Sequence, residues 1–103
     1  MFFTYIISCK DDTLYTGYTV DIKRRLNEHR LGINSKYTKA KGFKKLEIVF
    51  VSDSKSKAMK LEYHIKKLSR QEKINMIKTQ QLSQKLKVAI EDYKIHNLSE
   101  NNV

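Results

Sequence analysis

Residues Leu14 to Gly32 read LYTGYTVDIKRRLNEHRLG, and the reading of this stretch decides the fold. It opens on a strand-like run and ends on a short basic helix. Asp21 is a favoured N-cap and Gly32 stands where a helix usually ends, so a helix is expected from Ile22 to Leu31. Ile22, Arg25, Leu26 and His29 fall at i, i+3, i+4 and i+7, which is one face. Arg24, Asn27 and Glu28 point elsewhere. An apolar stripe that carries Arg and His is poorly served by packing alone. Arg25, set between Ile22 and Leu26, needs something to pair with.

Toward the N-terminus, Phe2 to Ser8 is rich in β-branched and aromatic residues, with apolar side chains on both faces. That pattern belongs to a central strand. Cys9 to Thr13 is a polar turn, so Phe2–Ser8 and Leu14–Tyr18 form a β-hairpin with Tyr5 and Tyr15 on neighbouring strands. Gly17 interrupts the second strand, where a missing side chain admits a close neighbour.

Toward the C-terminus, Asn34 to Lys45 is a basic loop with at most one helical turn. Leu46 to Val51 is a third strand. A helix from about Lys55 to Leu68 has the stripe Ala58, Leu61, Ile65 and Leu68, with Glu62 beside it. Ser69 and Glu72 form a capping box that starts a new helix, running to about Lys78. Leu82, Leu86, Ala89, Ile90 and Tyr93 share one face of a further expected helix. The organisation is then a domain over 1–80, an amphipathic helix within 81–96 and a disordered tail over 97–103.

The chain has 103 residues, enough for one domain with a modest core. Twenty-one basic residues against 11 acidic ones leave a formal charge of +10, which speaks to partners rather than fold. Nucleic acid leads over an anionic membrane or an acidic protein, because the basic residues are interleaved with tyrosines on several elements. The single cysteine, Cys9, excludes an internal disulfide and a cysteine-based zinc site. No signal peptide or membrane-spanning run is seen, and a cytoplasmic location is expected.

An Arg and a His one turn apart suit a phosphodiester. The guanidinium presents a planar fork of donors to phosphate oxygens, and the imidazole can move a proton near neutral pH. Tyrosines on adjacent strands can position a water, and Glu62 can hold a hard divalent cation. Each residue alone has a plainer reading: Tyr5 and Tyr15 as cross-strand packing, His29 as a hydrogen-bonded border residue. Glu62 alone reads as the i,i+4 partner of Lys66, a pairing worth about 0.2–0.5 kcal/mol. Their joint arrangement favours chemistry.

The order of these parts resembles the GIY-YIG nuclease superfamily, and within it the small single-domain bacterial branch. Thr4-Tyr5-Ile6 stands for the first motif and Tyr15-Thr16-Gly17 for the second. Tyr18 to His29 matches the family's helix, Ser35-Lys36-Tyr37-Thr38-Lys39 its basic loop, and Glu62 to Arg70 its glutamate helix. The resemblance covers about Phe3 to Lys73. It implies an α/β domain of the α+β kind, a small central three-stranded antiparallel sheet flanked by helices. It also implies catalytic roles: Tyr15 activating water, Tyr5 positioning it, Arg25 stabilising the phosphate, and His29 in proton transfer. Glu62 would bind the divalent metal, Mg²⁺ or Mn²⁺. Phe3 and Thr4 replace the glycine and isoleucine before the first tyrosine, and Tyr18 stands where some members carry lysine.

The function expected is metal-dependent endonuclease hydrolysis of DNA, on structured, single-stranded or damaged substrates as in repair or recombination. RNA is the other candidate substrate. Lys36, Tyr37, Lys39 and Lys41 are expected to contact nucleic acid. The alternative is a nucleic-acid-binding module with weak or no catalysis. A protein partner would dock through the C-terminal amphipathic helix.

Overall fold

The strand β1 (Phe2–Cys9) is the middle of the fold, paired antiparallel on one side with β2 (Leu14–Thr19) and on the other with β3 (Phe43–Ser52). The computed structural model describes residues 1–97. Every β1 residue after Phe2 is buried, as a strand covered on both faces requires. On one face Phe3, Tyr5, Ile7 and Val49 pack against Ile22 and Leu26 of α1 (Ile22–Leu31). On the other, Ile6, Ile48 and Phe50 pack against α3 (Lys55–Lys66) and α4 (Arg70–Thr79) through Leu61, Ile65 and Met76. A six-residue α2 (Lys36–Lys41) lies between α1 and β3, longer than the one turn at most expected of that loop, and the Ser35 side chain caps it by accepting from the Thr38 N–H.

The local signals for α1 hold at both ends. The Asp21 carboxylate accepts from the Arg24 N–H at 3.1 Å. Gly32 closes the helix at φ 68°, the left-handed region open to glycine. Burying a side chain such as Leu26 is worth about 1.5–3 kcal/mol, against a few tenths for a surface ion pair. The apolar stripe therefore orients α1, and Arg25 and His29 are carried along with it.

Two expectations are corrected. The sheet has four strands, in the order β2-β1-β3-β4, the fourth being the two-residue β4 (Lys94–Ile95) on Phe50 and Val51. So short a strand carries no readable period. The amphipathic helix expected within 81–96 is absent. α4 stops at Gln80, which adopts φ 55° and turns its side-chain amide onto the Ile77 and Glu47 carbonyls. The chain then runs irregularly, through one 3-10 turn (Ile90–Asp92), into β4. Leu86 and Tyr93 are buried in the α3–α4 core, and the Tyr93 hydroxyl donates to the Lys57 carbonyl at 2.8 Å. The apolar residues that suggested a helix are spent on this domain's own core, and β4 covers part of the exposed edge of β3. No free amphipathic helix remains for a protein partner in this segment. Of the expected tail, residues 98–103 lie outside the described residues.

Candidate active site

The site is assembled where α1 crosses the β1–β2 hairpin. Tyr5 and Gly17 face each other across the ladder. A Cβ on Gly17 would lie 2.7 Å from the Tyr5 hydroxyl and 2.9 Å from its ring. The phenol therefore occupies the space a side chain would fill, and its hydroxyl sits over the edge strand β2.

There the Tyr5 hydroxyl meets His29 Nε2 at 2.8 Å, and His29 Nδ1 meets Thr38 Oγ1 at 3.1 Å. Burial pushes the Tyr5 phenol up to about 12, although the Arg25 guanidinium alongside opposes the rise. The phenol therefore keeps its proton and is able to donate it to Nε2. In that arrangement the imidazole's own hydrogen would stand on Nδ1 and be donated to Thr38. Burial, reinforced by the Arg25 charge, holds His29 down to about 4. The imidazole is neutral and wholly enclosed.

Tyr15 connects this buried pair to the outside. Its ring lies 5.6 Å from the His29 ring, 6.5 Å from Tyr5 and 5.0 Å from Tyr37. Tyr15 and Arg25 line an open concavity of about 580 Å³ with Asn34, Lys36, Tyr37 and Lys41. Its charged lining is entirely positive.

The partner that Arg25 needs is Glu28, whose Oε1 accepts from Nη1 at 3.1 Å, together with the Asn34 carbonyl at 2.9 Å. Glu28 therefore does not point away, as its place on the helical wheel suggested. It reaches back by three residues and is itself held by the Asn34 amide at 2.9 Å.

Glu62 comes from the other side of the sheet, on α3, which packs against β1 and the edge strand β2. It does not line the concavity. Its carboxylate contributes to the raised pKa of Tyr5, behind burial, so it stands within electrostatic reach of the phenol. It also pairs with Lys66 at 3.6 Å. Among the described residues no group of three or more His, Cys, Asp and Glu side chains can cage a metal ion. A single half-buried carboxylate fits a magnesium-type ion, which keeps several waters and takes other ligands from substrate phosphate.

The basic loop divides. Lys36 and Lys39 are exposed and, among the described residues, unpaired. Lys41 is bound to Asp11 at 2.9 Å. Tyr37 is a packed wall of the concavity, its hydroxyl donating to the Leu14 carbonyl at 3.4 Å. The contact of Thr38 with His29 and the tie between Arg25 and Glu28 are set by tertiary packing and side-chain reach rather than by a sequence motif. The one signal for Thr38 was an apolar-compatible residue in a basic loop, which is weak.

The comparisons with known proteins agree with this architecture. A family model described as the GIY-YIG catalytic domain matches residues 1–75. The chain belongs to the GIY-YIG family. Its similarity to UPF0213 proteins, a small GIY-YIG family, is close. A UPF0213 protein of Staphylococcus haemolyticus is 45% identical over 75 residues, covering 73% of this chain and 92% of the relative. One from Halobacterium salinarum is 48% identical over 73 residues, covering 71% and 95%. Among solved structures, the solution NMR structure of the UPF0213 protein BH0048 from Bacillus halodurans is similar, with a TM-score of 0.50 and 41% identity. That likeness covers 77% of this chain and 85% of the other. The GIY-YIG match spans Tyr5, Tyr15, Arg25, His29 and Glu62 and stops before the irregular C-terminal segment. No helix among the described residues is long and apolar enough to cross a membrane.

Proposed function

We propose that this GIY-YIG domain is a metal-dependent endonuclease that hydrolyses phosphodiester bonds in DNA. The observation that carries the reading is the pairing of Tyr15 and Arg25 on one positively lined concavity, with the Tyr5–His29 pair directly behind Tyr15. Structured, single-stranded or damaged DNA, as in repair or recombination, is the substrate class that an open surface of this kind suits. A cytoplasmic site of action accords with the single reduced cysteine, Cys9.

A phosphate entering the concavity meets Arg25, whose Nη1 is held by Glu28 and the Asn34 carbonyl while the Tyr5 phenol stands alongside. A guanidinium stays charged when partly desolvated and can present donors to a non-bridging oxygen. The Tyr15 hydroxyl orients a water for in-line attack on phosphorus. Tyr5, held protonated, fixes the hydrogen-bond pattern behind Tyr15, and His29 acts through Tyr5 as a positioning residue. Lys36 and Lys39 meet neighbouring phosphates. Glu62 would hold a divalent ion, Mg²⁺ or Mn²⁺, which when bound supplies positive charge to the phosphate.

The test is nicking of a panel of duplex, forked, gapped and single-stranded DNA with Mg²⁺ and Mn²⁺. Cleavage that Arg25→Ala and Glu62→Gln both abolish is expected. A wild-type chain that binds the panel and cuts none of it would replace this reading with that of a nucleic-acid-binding module.

A further inference from the structure

The outer face of α3 carries side chains that the hydrolysis above does not use. Met59 and Tyr63 lie one turn apart and are 45% and 56% exposed, on a helix whose inner face is core. Lys60 and Lys67 flank Tyr63 at i−3 and i+4. The Lys67 ammonium stands 4.3 Å from the centroid of the Tyr63 ring, and the His64 ring abuts that ring at 5.2 Å. The tyrosine is thus held in place but not covered.

The charge around it is one-sided. Residues 55–79 hold eight basic side chains and two acidic ones. Of those two, Glu72 is taken by Lys85 at 3.0 Å and by its capping box, and Glu62 by Lys66. On α4, Lys73 is held below the usual lysine range by burial and by the charge of Lys66. Lys60, Lys67 and Lys73 have no carboxylate partner among the described residues. Crowded ammonium groups without counter-charges are relieved by a polyanion.

Tyr63 directly follows Glu62 in the chain and points about 100° around the helix from it, so the strip and the proposed metal-binding carboxylate share one helix on different faces. An exposed aromatic on a convex helix cannot reach a base stacked inside a duplex. It can stack on a base whose strand is unpaired, while flanking lysines follow the phosphates.

We propose that the α3 strip centred on Tyr63 binds an unpaired nucleic-acid strand, with Tyr63 stacking on a base and Lys60 and Lys67 meeting its phosphates. The inference rests on the placement of the hydrolytic site beside Glu62. It narrows the substrate class to nucleic acid that is single-stranded next to the scissile phosphate, as at a flap, fork or gap.

The experiment is fluorescence anisotropy in EDTA with the full chain, using a labelled oligothymidylate and a labelled blunt duplex of equal length. Tyr63→Ala is expected to weaken single-strand binding by about five- to a hundredfold and duplex binding by less than about twofold. Tyr63→Phe should retain wild-type affinity. Lys60→Gln and Lys67→Gln should each reduce the salt slope on the single strand by about 0.7. Wild-type affinity of Tyr63→Ala for the oligothymidylate would overturn the proposal. So would equal loss on both probes, or a wild-type chain that does not bind the single strand. EDTA keeps this readout apart from cleavage. A chain that nicks DNA without using Tyr63 sinks the strip alone, and one that uses Tyr63 but never nicks sinks the hydrolysis alone.

Discussion

The Tyr5 hydroxyl stands 2.8 Å from His29 Nε2 in the interior, and the far nitrogen of the same imidazole stands 3.1 Å from Thr38 Oγ1. A strand, a helix and a short second helix are thereby joined by one chain of hydrogen bonds. Leaving either end of a buried imidazole unpaired costs about 1–3 kcal/mol. Thr38→Val is expected to lose that much in urea unfolding, whereas Thr38→Ser should retain most of it. Nitrogen-15 NMR of His29 should report the Nδ1–H form in the wild type and a changed tautomer balance in Thr38→Val. An unchanged tautomer would show that Thr38 merely fills space.

The same imidazole makes stability depend on pH. An ordinary histidine in the unfolded chain takes up a proton below about 6.5, while folded His29 resists until about 4. Between those values the unfolded state binds more protons, so folded stability falls as pH drops through the window and is flat above it. The full drop corresponds to about 3 kcal/mol. Urea midpoints measured from pH 7 to pH 4 should show it, and His29→Gln, though less stable at pH 7, should show a flatter profile.

Gly17 is required by the phenol above it. Gly17→Ala would set a methyl 2.7 Å from the Tyr5 hydroxyl and 3.1 Å from the Tyr15 ring. Both tyrosines must shift, and overpacking of this kind typically costs about 1–3 kcal/mol. If the displaced pair is the one that orients water, nicking should fall by more than the fraction of unfolded chain explains. Activity per folded molecule, with folding measured by near-ultraviolet circular dichroism, separates the two effects.

Arg25 joins Glu28, the Asn34 carbonyl and the concavity through one planar group. Lysine cannot reproduce that fork. Arg25→Lys is expected to lower kcat by about 10²–10³, the range for removing a single preorganised donor to developing charge, with a smaller change in KM. A mutant impaired only in KM would make Arg25 a docking residue.

The two free lysines of the loop should outweigh the paired one. Lys36→Gln and Lys39→Gln are each expected to lower the salt slope of duplex binding by about 0.9. Lys41→Gln should lower it less, because Lys41 is already neutralised by Asp11. Equal effects at all three positions would mean that the Lys41–Asp11 pair opens on binding.

Much of this protein is written locally. The central strand announces itself by apolar residues on both faces, α1 by Asp21, Gly32 and the spacing between them, and α4 by the reciprocal cap of Ser69 and Glu72. These signals act within a few residues of the chain, which is the range over which hydrogen-bonding caps and helical or strand periods operate. The same periodicity misled at 81–96, because apolar spacing records which residues seek burial and not which backbone delivers them. Tyr93 was buried as its place on the expected apolar face required, on a segment that is not a helix.

By itself, the sequence determined the principal strands and helices up to α4, their order, the basic balance and the residue types able to handle a phosphate. Only the tertiary structure decided their partners: Tyr5 over Gly17, His29 between Tyr5 and Thr38, Arg25 against Glu28, and Glu62 on the opposite side of the sheet from α1. A period of 2.0 or 3.6 residues specifies a face. What lies against that face depends on how distant elements pack, and it is there that burial sets the protonation of Tyr5 and His29.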